Sequence, residues 1–304
     1  MRAGVRPFLV IGRQGQVATD LVAAGQRAGV SLTALGRPDL DLTNPASIAL
    51  GLDQANPAAV INAAAYTAVD RAESEPDLAF AVNRDGPAAL ARLCAGARIP
   101  LIHLSTDQVF DGRKAGGYEE TDPPNPLCVY GCSKWAGETA VAEAHDAALI
   151  VRVSWVFGPS GDNFVKKLLG WAKTRDTLAI VCDQRGRPTY APALADALIT
   201  LAKRMIEGGA DRPRGLLHLA GESVMTRDAQ ARAVMAASAA RGGPSARIEP
   251  VPTRDFPTPA ARPLNAELDP SLAAERHGIR LGRFEDDLAQ TLDRVLGPPL
   301  EASA

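Results

Sequence analysis

Tyr130 and Lys134 are the residues whose types and spacing most directly suggest chemistry in this chain. They lie four positions apart in the segment 128–138, so on a helix they share one face, about one turn apart. A nearby ammonium group favours the phenolate form of a tyrosine, and such a pair can exchange a proton with a carbonyl or hydroxyl oxygen near neutral pH. The same spacing also occurs on ordinary surface helices, so the surrounding chain must decide its meaning.

The composition is that of a soluble globular protein. The 304 residues are 46% hydrophobic and 22% charged, enough for the core of one large domain or of two interleaved ones. The net charge of −2 provides no electrostatic reason to bind nucleic acid or an anionic membrane. No apolar run approaches the ~20 residues that span a bilayer, and the run at 8–11 is too short for a signal-peptide core. We therefore expect a cytoplasmic protein with neither nucleic acid nor membrane as a partner.

The four cysteines do not indicate a metal centre. They are Cys94, Cys128, Cys132 and Cys182, and they form no repeated Cys-x-x-Cys pattern. Two of them bracket Tyr130, but we interpret all four as small thiols in a reducing compartment.

A glycine-rich turn follows the first predicted strand. The apolar run 8–11 ends at Gly12, Gly15 and Ala18 follow at intervals of three, and a helical pattern continues to about residue 29. In this context backbone amides at a helix start can hold a pyrophosphate. The spacing is looser than the usual dinucleotide fingerprint, so an ordinary tight turn is the alternative when the motif is taken alone.

Two arginines bear on the choice of dinucleotide. The second predicted strand, 30–35, is followed by Arg37, and Arg13 lies in the glycine-rich turn. An arginine at these loops accommodates a 2′-phosphate, whereas an acidic residue would hold the ribose hydroxyls of NAD. Both side chains could also be ordinary surface arginines. The pattern favours NADPH and allows NADH.

Strands and helices alternate along the chain, which predicts βαβ units. The predicted fold class is therefore α/β, with a doubly wound, Rossmann-type parallel sheet and a smaller, interleaved C-terminal substrate-binding domain. We expect the dinucleotide-binding domain at 1–154, with parts of about 175–205 returning to it, and mainly the second domain at about 155–304. The predicted strands are 8–11, 30–35, 59–65, 101–105, 148–153, 178–181 and 216–219, and the predicted helices beyond the first are 44–55, 76–97, the segment around Tyr130, 163–174, 192–207, 227–241 and 284–296.

Two further features concern the surroundings of Tyr130. His103 falls in the middle of a predicted strand, and we interpret it as a hydrogen-bonded core histidine. The segment 250–263 contains five prolines and cannot be a regular helix, so we expect an extended lid or a substrate-facing loop.

Six sequence blocks carry a family resemblance. The chain resembles the extended short-chain dehydrogenase/reductase family, and within it the reductases of 4-keto-6-deoxy sugars linked to thymidine diphosphate (dTDP). The resemblance covers nearly the whole chain, and the order of the blocks makes a chance match improbable. The blocks are GRQGQV (12–17), NAAAYTAVDRAESEP (62–76), STDQVF (105–110), VYGCSK (129–134), RVSWVF (152–157) and RPLN (262–265).

The resemblance implies an NADPH-dependent reduction at the C4 ketone of the sugar. Tyr130 would donate the proton to the ketone oxygen, and Thr106 would hold that oxygen with its hydroxyl. Lys134 would lower the pKa of Tyr130 and hydrogen-bond the nicotinamide ribose. These three residues are the implied catalytic set.

The resemblance also implies that about 155–304 is mainly the sugar-nucleotide-binding domain, and it implies binding residues. The sugar nucleotide would contact Thr106, Asp107 and Trp155, although a tryptophan after a strand is often only core or rim. The cofactor would contact residues of the glycine turn, of the next two strand ends and of the catalytic helix, namely Gly12, Gln14, Gly15, Gln16, Val17, Arg37, Asp41, Leu42, Ala63, Ala64, Ala65, Tyr66, Thr67, Tyr130 and Lys134.

Departures from the family pattern limit the alternatives. Gln108 stands where related dehydratases carry an acid, and an amide cannot supply the proton that elimination of water needs. Some family members dimerise through a magnesium ion, but the counterparts here are Asp20, Pro192 and Arg294, so we expect no metal and leave room for a homodimer. Two alternatives stay open: a reductase of another dTDP-linked 4-keto-6-deoxy sugar, and a non-catalytic NADP-binding regulatory subunit.

Overall fold

A computed structural model describes residues 6–209 and 211–299. The described residues form strands β1 (Phe8–Ile11), β2 (Leu32–Leu35), β3 (Ala59–Asn62), β4 (Leu101–Thr106), β5 (Leu149–Val153), β6 (Val156–Phe157), β7 (Thr177–Val181), β8 (Arg185–Gly186), β9 (Thr189–Tyr190), β10 (Gly215–Leu219), β11 (Met225–Thr226), β12 (Arg247–Val251) and β13 (Asn265–Ala266).

The helices lie between these strands. They are α1 (Gln16–Arg27), α2 (Pro45–Ala55), α3 (Val69–Ala72), α4 (Pro76–Phe80), α5 (Gly86–Gly96), α6 (Val129–Ala144), α7 (Phe164–Ala172), α8 (Ala191–Glu207), α9 (Arg227–Ala239), α10 (Ser271–His277) and α11 (Phe284–Leu296), with a π-helical turn at Ala81–Asp85 and 3₁₀ turns at Asp107–Val109 and Thr253–Asp255. No helix in the described ranges is long and apolar enough to cross a membrane.

One six-stranded sheet organises the structure. Its order is β10-β5-β4-β3-β1-β2, and every neighbouring pair is parallel. The chain order reverses between β1 and β3, which is where open sheets of this kind bind ligands, beyond the carboxyl ends of the strands. The predicted α/β fold with a doubly wound parallel sheet is therefore confirmed.

Helices cover both faces of the sheet, as parallel strands require. On one face α1 and α8 pack together, and their buried residues share a core with β1, β3, β4 and β5. On the other face α2, α5 and α6 bury residues such as Ile48, Leu90 and Val141 against β1 and β3 to β5. The strands are consequently apolar on both sides, and β1 and β3 are buried at every position.

A second core lies outside the large sheet. Helices α7, α9 and α11 pack around β7, with residues such as Leu168, Val234, Phe284 and Leu288 buried. Strand β7 pairs with β12 and not with the large sheet. In contrast α8 and β10, which come later than residue 154, belong to the large sheet and its core. Segments from the later part of the chain therefore return to the large sheet. The expected boundary at 154 stays a prediction.

Two predicted elements differ in the structure. The predicted helix 76–97 contains a π-helical turn at Ala81–Asp85, which turns Asn83 into the interior. The predicted strand 59–65 ends at Asn62, because the Asn62 side chain accepts a hydrogen bond from the Ala64 backbone N–H and bends the chain out of the sheet. Both interruptions place polar groups near the carboxyl ends of the strands.

Candidate active site

Helix α6 carries Tyr130 to the end of β4. The Sγ atom of Cys128 accepts a hydrogen bond from the Gly131 N–H at 3.4 Å and caps the helix. A Cβ atom at Gly131 would overlap the carbonyl oxygen of Gln108, just after β4, so only glycine permits this close approach. The helix start is thereby held against the turn that follows Thr106.

The phenol of Tyr130 sits in a buried, mainly apolar cluster. Its neighbours include Cys128, Ala72 and Ala260, the last from the proline-rich segment 250–263. Burial raises the pKa of Tyr130, and a side-chain hydrogen bond with Thr106 acts in the opposite direction. Tyr130 is therefore protonated at neutral pH and can act as a proton donor.

Lys134 is buried one turn farther along α6. Its Nζ atom donates to the Leu104 carbonyl oxygen at 2.7 Å and lies 3.4 Å from Nε2 of His103. Burial lowers the pKa of Lys134 to about 8, with the charge of Glu138 opposing that effect. The pKa of Tyr130 is raised overall because the phenol is buried, and the Lys134 amine is directed at β4, so the expected lowering of the Tyr130 pKa by Lys134 stays a prediction.

Thr106 and Asp107 lie beside Tyr130 at the carboxyl end of β4. The Thr106 hydroxyl donates to Oδ1 of Asp107 at 2.9 Å, and the Ser154 hydroxyl donates to Oδ2 at 2.9 Å. Burial raises the pKa of Asp107 to about 6, while these hydrogen bonds and the charge of Arg227 act against the rise. Asp107 thus has protein partners on both oxygens and orients the Thr106 hydroxyl.

Trp155 is half-buried and stacks on an arginine from the second core. The guanidinium carbon of Arg227 lies 3.4 Å from the centroid of the Trp155 ring. On Gly186 a Cβ atom would come within 2.6 Å of Cε2 of the same ring, so the indole needs a glycine there. The Trp155 side chain is thus neither fully buried in the core nor fully exposed to solvent. Its contact with substrate stays a prediction.

The glycine turn leaves a helix start open. Gly12 has a φ of 120°, and a Cβ atom there would lie 3.3 Å from the backbone of Ala63 and Ala64. Gly15 precedes α1 without a side-chain cap, and nothing would meet a Cβ atom on it within 4 Å. An uncapped helix N-terminus with free space beside it suits an anionic diphosphate. The residues at this turn therefore fit a dinucleotide.

The predicted cofactor residues of the turn differ in exposure. Gln14 is exposed, whereas Gln16 and Val17 are half-buried. Gln16 accepts a hydrogen bond from Nδ2 of Asn163 at 2.7 Å, and Gly161 lies directly against its backbone. A loop from beyond β6 is therefore already packed on the turn.

The two arginines considered for a 2′-phosphate lie on neighbouring loops, Arg13 in the glycine turn after β1 and Arg37 in the loop after β2. Arg13 is hydrogen-bonded to Asp39 at 2.8 Å, and Arg37 is exposed. The Asp41 carboxylate accepts from both the backbone and the hydroxyl of Thr43, and these hydrogen bonds lower its pKa. Leu42 is buried, so its side chain belongs to the core. The side chains of Asp41 and Leu42 thus stabilise the conformation of this loop through contacts within the protein.

Asn83, which the sequence reading did not single out, positions the loop of Ala65, Tyr66 and Thr67. It accepts from the Tyr66 N–H at 2.8 Å, donates to the Tyr66 carbonyl at 3.0 Å, and donates to Ser133 at 2.9 Å. The loop after β3 and the helix that carries Tyr130 are therefore joined by one buried amide. No sequence pattern indicated this, since an isolated asparagine in a helical segment has no distinctive spacing.

No metal cluster is present among the described residues: no group of three or more His, Cys, Asp or Glu side chains is arranged to hold an ion. Asp20, one of the positions considered for magnesium, accepts a hydrogen bond from the Ser160 hydroxyl at 2.9 Å.

Comparison with known proteins places this arrangement in a family. Residues 6–296 match the family described as "RmlD substrate binding domain". Proteins named dTDP-4-dehydrorhamnose reductase from Sinorhizobium fredii and Escherichia coli K12 are 43% and 38% identical, covering 91% and 95% of this chain and 93% and 97% of their own lengths.

Solved structures agree with the sequence relatives. The crystal structure of dTDP-4-dehydrorhamnose reductase from Bacillus anthracis in complex with NADP has a TM-score of 0.87 at 28% identity, covering 94% of this chain and 98% of that one. UDP-glucose 4-epimerase from Thermus thermophilus, at 20% identity and a TM-score of 0.76, shares the fold. The match over 6–296 and the full-length relatives confirm the resemblance seen in the six sequence blocks, and the chain belongs to the RmlD substrate-binding-domain family.

Proposed function

We propose that this protein reduces the C4 ketone of dTDP-4-dehydro-L-rhamnose to dTDP-L-rhamnose, with NADPH as reductant and Tyr130 as proton donor. The observation that carries the proposal is the buried, protonated phenol of Tyr130 beside the Thr106 hydroxyl at the carboxyl end of β4. The relatives over the whole chain are named for this reaction, which supports the choice of substrate.

The glycine turn and the Tyr130 site are close enough to serve one cofactor. Strands β1 and β4 are separated only by β3, which puts their carboxyl ends roughly 10 Å apart. The open start of α1 would bind the diphosphate, and the loop of Ala63 to Thr67 lies between the two sites. NADPH, when bound, supplies the hydride for the reduction.

The chain's own residues would supply the proton and the alignment. As the ketone carbon is reduced, negative charge develops on its oxygen, and the Tyr130 hydroxyl transfers its proton there to give the alcohol. The Thr106 hydroxyl donates to Asp107 in the protein alone and would turn from that carboxylate to the same oxygen when substrate binds. A raised pKa suits this role, because the acid must be protonated when substrate binds.

We further propose that the substrate-binding part includes Trp155 and the residues near it. Arg227 holds the indole on one face, and Arg262 of the proline-rich segment lies near enough to act on the charge of Arg227. Two guanidinium groups near the Tyr130 site are suited to an anionic sugar nucleotide.

The test is NADPH oxidation on addition of the dTDP-linked 4-keto sugar, with NMR analysis of the product. Formation of the L-rhamnosyl nucleotide supports the proposal. Turnover to an epimeric 6-deoxy sugar would instead assign the chain to a related reductase. Tight NADPH binding without any turnover would favour a regulatory, non-catalytic subunit and overturn the proposal.

A further inference from the structure

A buried asparagine of the second core is hydrogen-bonded to the glycine turn. Asn163 precedes α7 and caps it, because its Oδ1 atom accepts from the Lys166 backbone N–H at 3.2 Å. Its Nδ2 atom donates to Oε1 of Gln16 at 2.7 Å and to the Gly158 carbonyl oxygen at 2.9 Å. One buried amide therefore connects the start of α7 with the first residue of α1.

These contacts fix which end of each amide faces the other. If the Asn163 amide were turned over, its oxygen would face the Gly158 carbonyl oxygen, and the Lys166 N–H would lose its acceptor. The NH₂ group of Asn163 therefore faces Gln16. Gln16 must present its oxygen in return, since two NH₂ groups cannot hydrogen-bond each other. The NH₂ group of Gln16 consequently points away from Asn163.

The loop beside Gln16 is already occupied with hydrogen bonds of its own. Each carbonyl oxygen from 158 to 161 accepts a side-chain hydrogen bond, two from the Asn163 amide and two from Nζ of Lys166. In the described part of the chain the NH₂ group of Gln16 makes no hydrogen bond, and the side chain is only half-buried. This amide donor is therefore available to a ligand.

The position of Gln16 indicates what that ligand is. Gln16 follows Gly15 at the uncapped N-terminus of α1, where the diphosphate of a dinucleotide fits. Diphosphate oxygens carry negative charge and only accept hydrogen bonds, so an NH₂ group attracts them, whereas an amide oxygen in its place would repel them. The orientation of the Gln16 amide thus decides the sign of its interaction.

We propose that Asn163 is a positioning residue for the dinucleotide: it orients the Gln16 side-chain amide so that the NH₂ group donates to the diphosphate. Asn163 acts through Gln16 and does not touch the dinucleotide. The inference rests on the use of NADPH in the proposed function. It makes α7, a helix of the second core, part of the cofactor site, although the glycine turn belongs to the large sheet.

The variant Asn163→Ser separates this role from simple helix capping. Serine also caps helices, but it has no NH₂ group and is too short to reach Gln16. The Gln16 amide is then free to rotate, and we expect the Kd for NADPH to rise about tenfold, which is the value of one hydrogen bond to a charged group. Fluorescence titration measures the Kd, and circular dichroism with thermal melting checks the fold. An unchanged Kd would reduce Asn163 to a helix cap and overturn the proposal.

A double-mutant cycle tests whether Asn163 acts through Gln16. Gln16→Ala removes the donor, so it should also raise the Kd for NADPH about tenfold. Adding Asn163→Ser to Gln16→Ala should then change the Kd by less than about twofold, because the group that Asn163 orients is already absent. A further tenfold rise in the double variant would mean that Asn163 acts by another route, and the proposal would fail.

NMR on the wild-type protein tests the contact even if the variants do not fold. With ¹⁵N-labelled glutamine side chains, saturating NADPH should shift the NH₂ signal of Gln16 and leave that of Gln54, an exposed residue of α2, unchanged. A Gln16 signal that does not move would refute the proposal. None of these measurements uses turnover, so a protein that gives the expected binding results without reducing the sugar nucleotide would refute the proposed function alone.

Discussion

Arg262 and Asp70, which are far apart in the sequence, are joined by two parallel hydrogen bonds: Nη1 to Oδ1 at 2.7 Å and Nη2 to Oδ2 at 2.8 Å. The backbone N–H of Ala260 donates to the same carboxylate at 3.2 Å, and Ala260 is buried in the cluster that contains Tyr130. The proline-rich segment is thus fastened next to Tyr130, and its expected role as a substrate-facing loop stays a prediction. The hydrogen bonds from Arg262 lower the pKa of Asp70.

Replacing Arg262 with alanine should loosen this segment. The bidentate contact is lost, and only packing and the Ala260 N–H bond to Asp70 still hold the segment, so we expect faster hydrogen exchange at 257–263 and a KM for the sugar nucleotide raised about tenfold. Thermal stability should change little, because the pair is partly exposed. Hydrogen exchange with mass spectrometry, together with steady-state kinetics, measures both effects.

Arg254→Ala is the matched control for this change. Arg254 lies in the same segment and faces Asp255 at 3.8 Å in an exposed pair, so its loss should affect neither exchange nor KM. Equal effects in the two variants would mean that the Asp70 contact does not hold the segment.

Replacing Tyr130 with phenylalanine should remove the proton donor and little else. We expect kcat to fall by about 10²–10⁴-fold while the Kd for NADPH stays within about twofold. Tyr190→Phe is the control, because the hydroxyl of this buried tyrosine makes no hydrogen bond within the described part of the chain. Wild-type turnover in Tyr130→Phe would show that the proton comes from another group.

The charge of Arg37 should influence the choice of cofactor. Arg37→Asp places a carboxylate where ribose hydroxyls would be held, so we expect the ratio of NADPH to NADH affinity to drop at least about tenfold. Binding titrations with both cofactors measure the ratio. Arg92→Asp, an exposed charge reversal on α5, should leave the ratio unaltered. An unaltered ratio in Arg37→Asp would contradict a role of Arg37 in binding the 2′-phosphate.

Glu138 and Arg152 form a buried ion pair beneath the site. Glu138→Gln leaves the guanidinium unpaired in the core, and we expect a loss of about 3–5 kcal/mol in the free energy of unfolding. The double variant Glu138→Leu with Arg152→Met removes both charges and should recover much of that loss. Asp162→Asn breaks the exposed contact with Lys167 and should cost under about 1 kcal/mol. Urea denaturation distinguishes these outcomes.

NADPH binding should weaken as the pH rises through 8. The pKa of Lys134 is lowered to about 8 in the protein alone, and a hydrogen bond from its ammonium to the ribose would raise that pKa in the complex. Binding then takes up a proton, so affinity is full below pH 8 and falls by up to about tenfold per unit above it. Calorimetry at pH 7, 8 and 9 measures this. Lys134→Met should bind weakly and without that slope, and a flat profile in the wild type would contradict the role.

Much of the fold followed from local pattern. The strands β1, β3, β4 and β5 are buried on both faces. Parallel strands covered by helices on both sides appear in the sequence as continuous apolar runs, so these four could be predicted. The strand end at Asn62 was missed because small apolar residues continue beyond it, although its hydrogen bond with the Ala64 N–H is local. The π-helical turn at Ala81–Asp85 was missed because the Asn83 side chain finds its partner, Ser133, elsewhere in the structure. Hydrophobic periodicity carries no information about such partners.

The sequence by itself determined that Tyr130 and Lys134 share a helix face, and that a glycine turn follows the first strand, because both depend on spacing within a few residues. Only the tertiary structure decided what surrounds them: Arg227 on Trp155, Arg262 on Asp70, and His103 between Asn62 and Lys134. These partners are separated by 31 to 192 positions. Packing selects these partners from the many groups of suitable chemistry, and burial also raises the pKa of Tyr130.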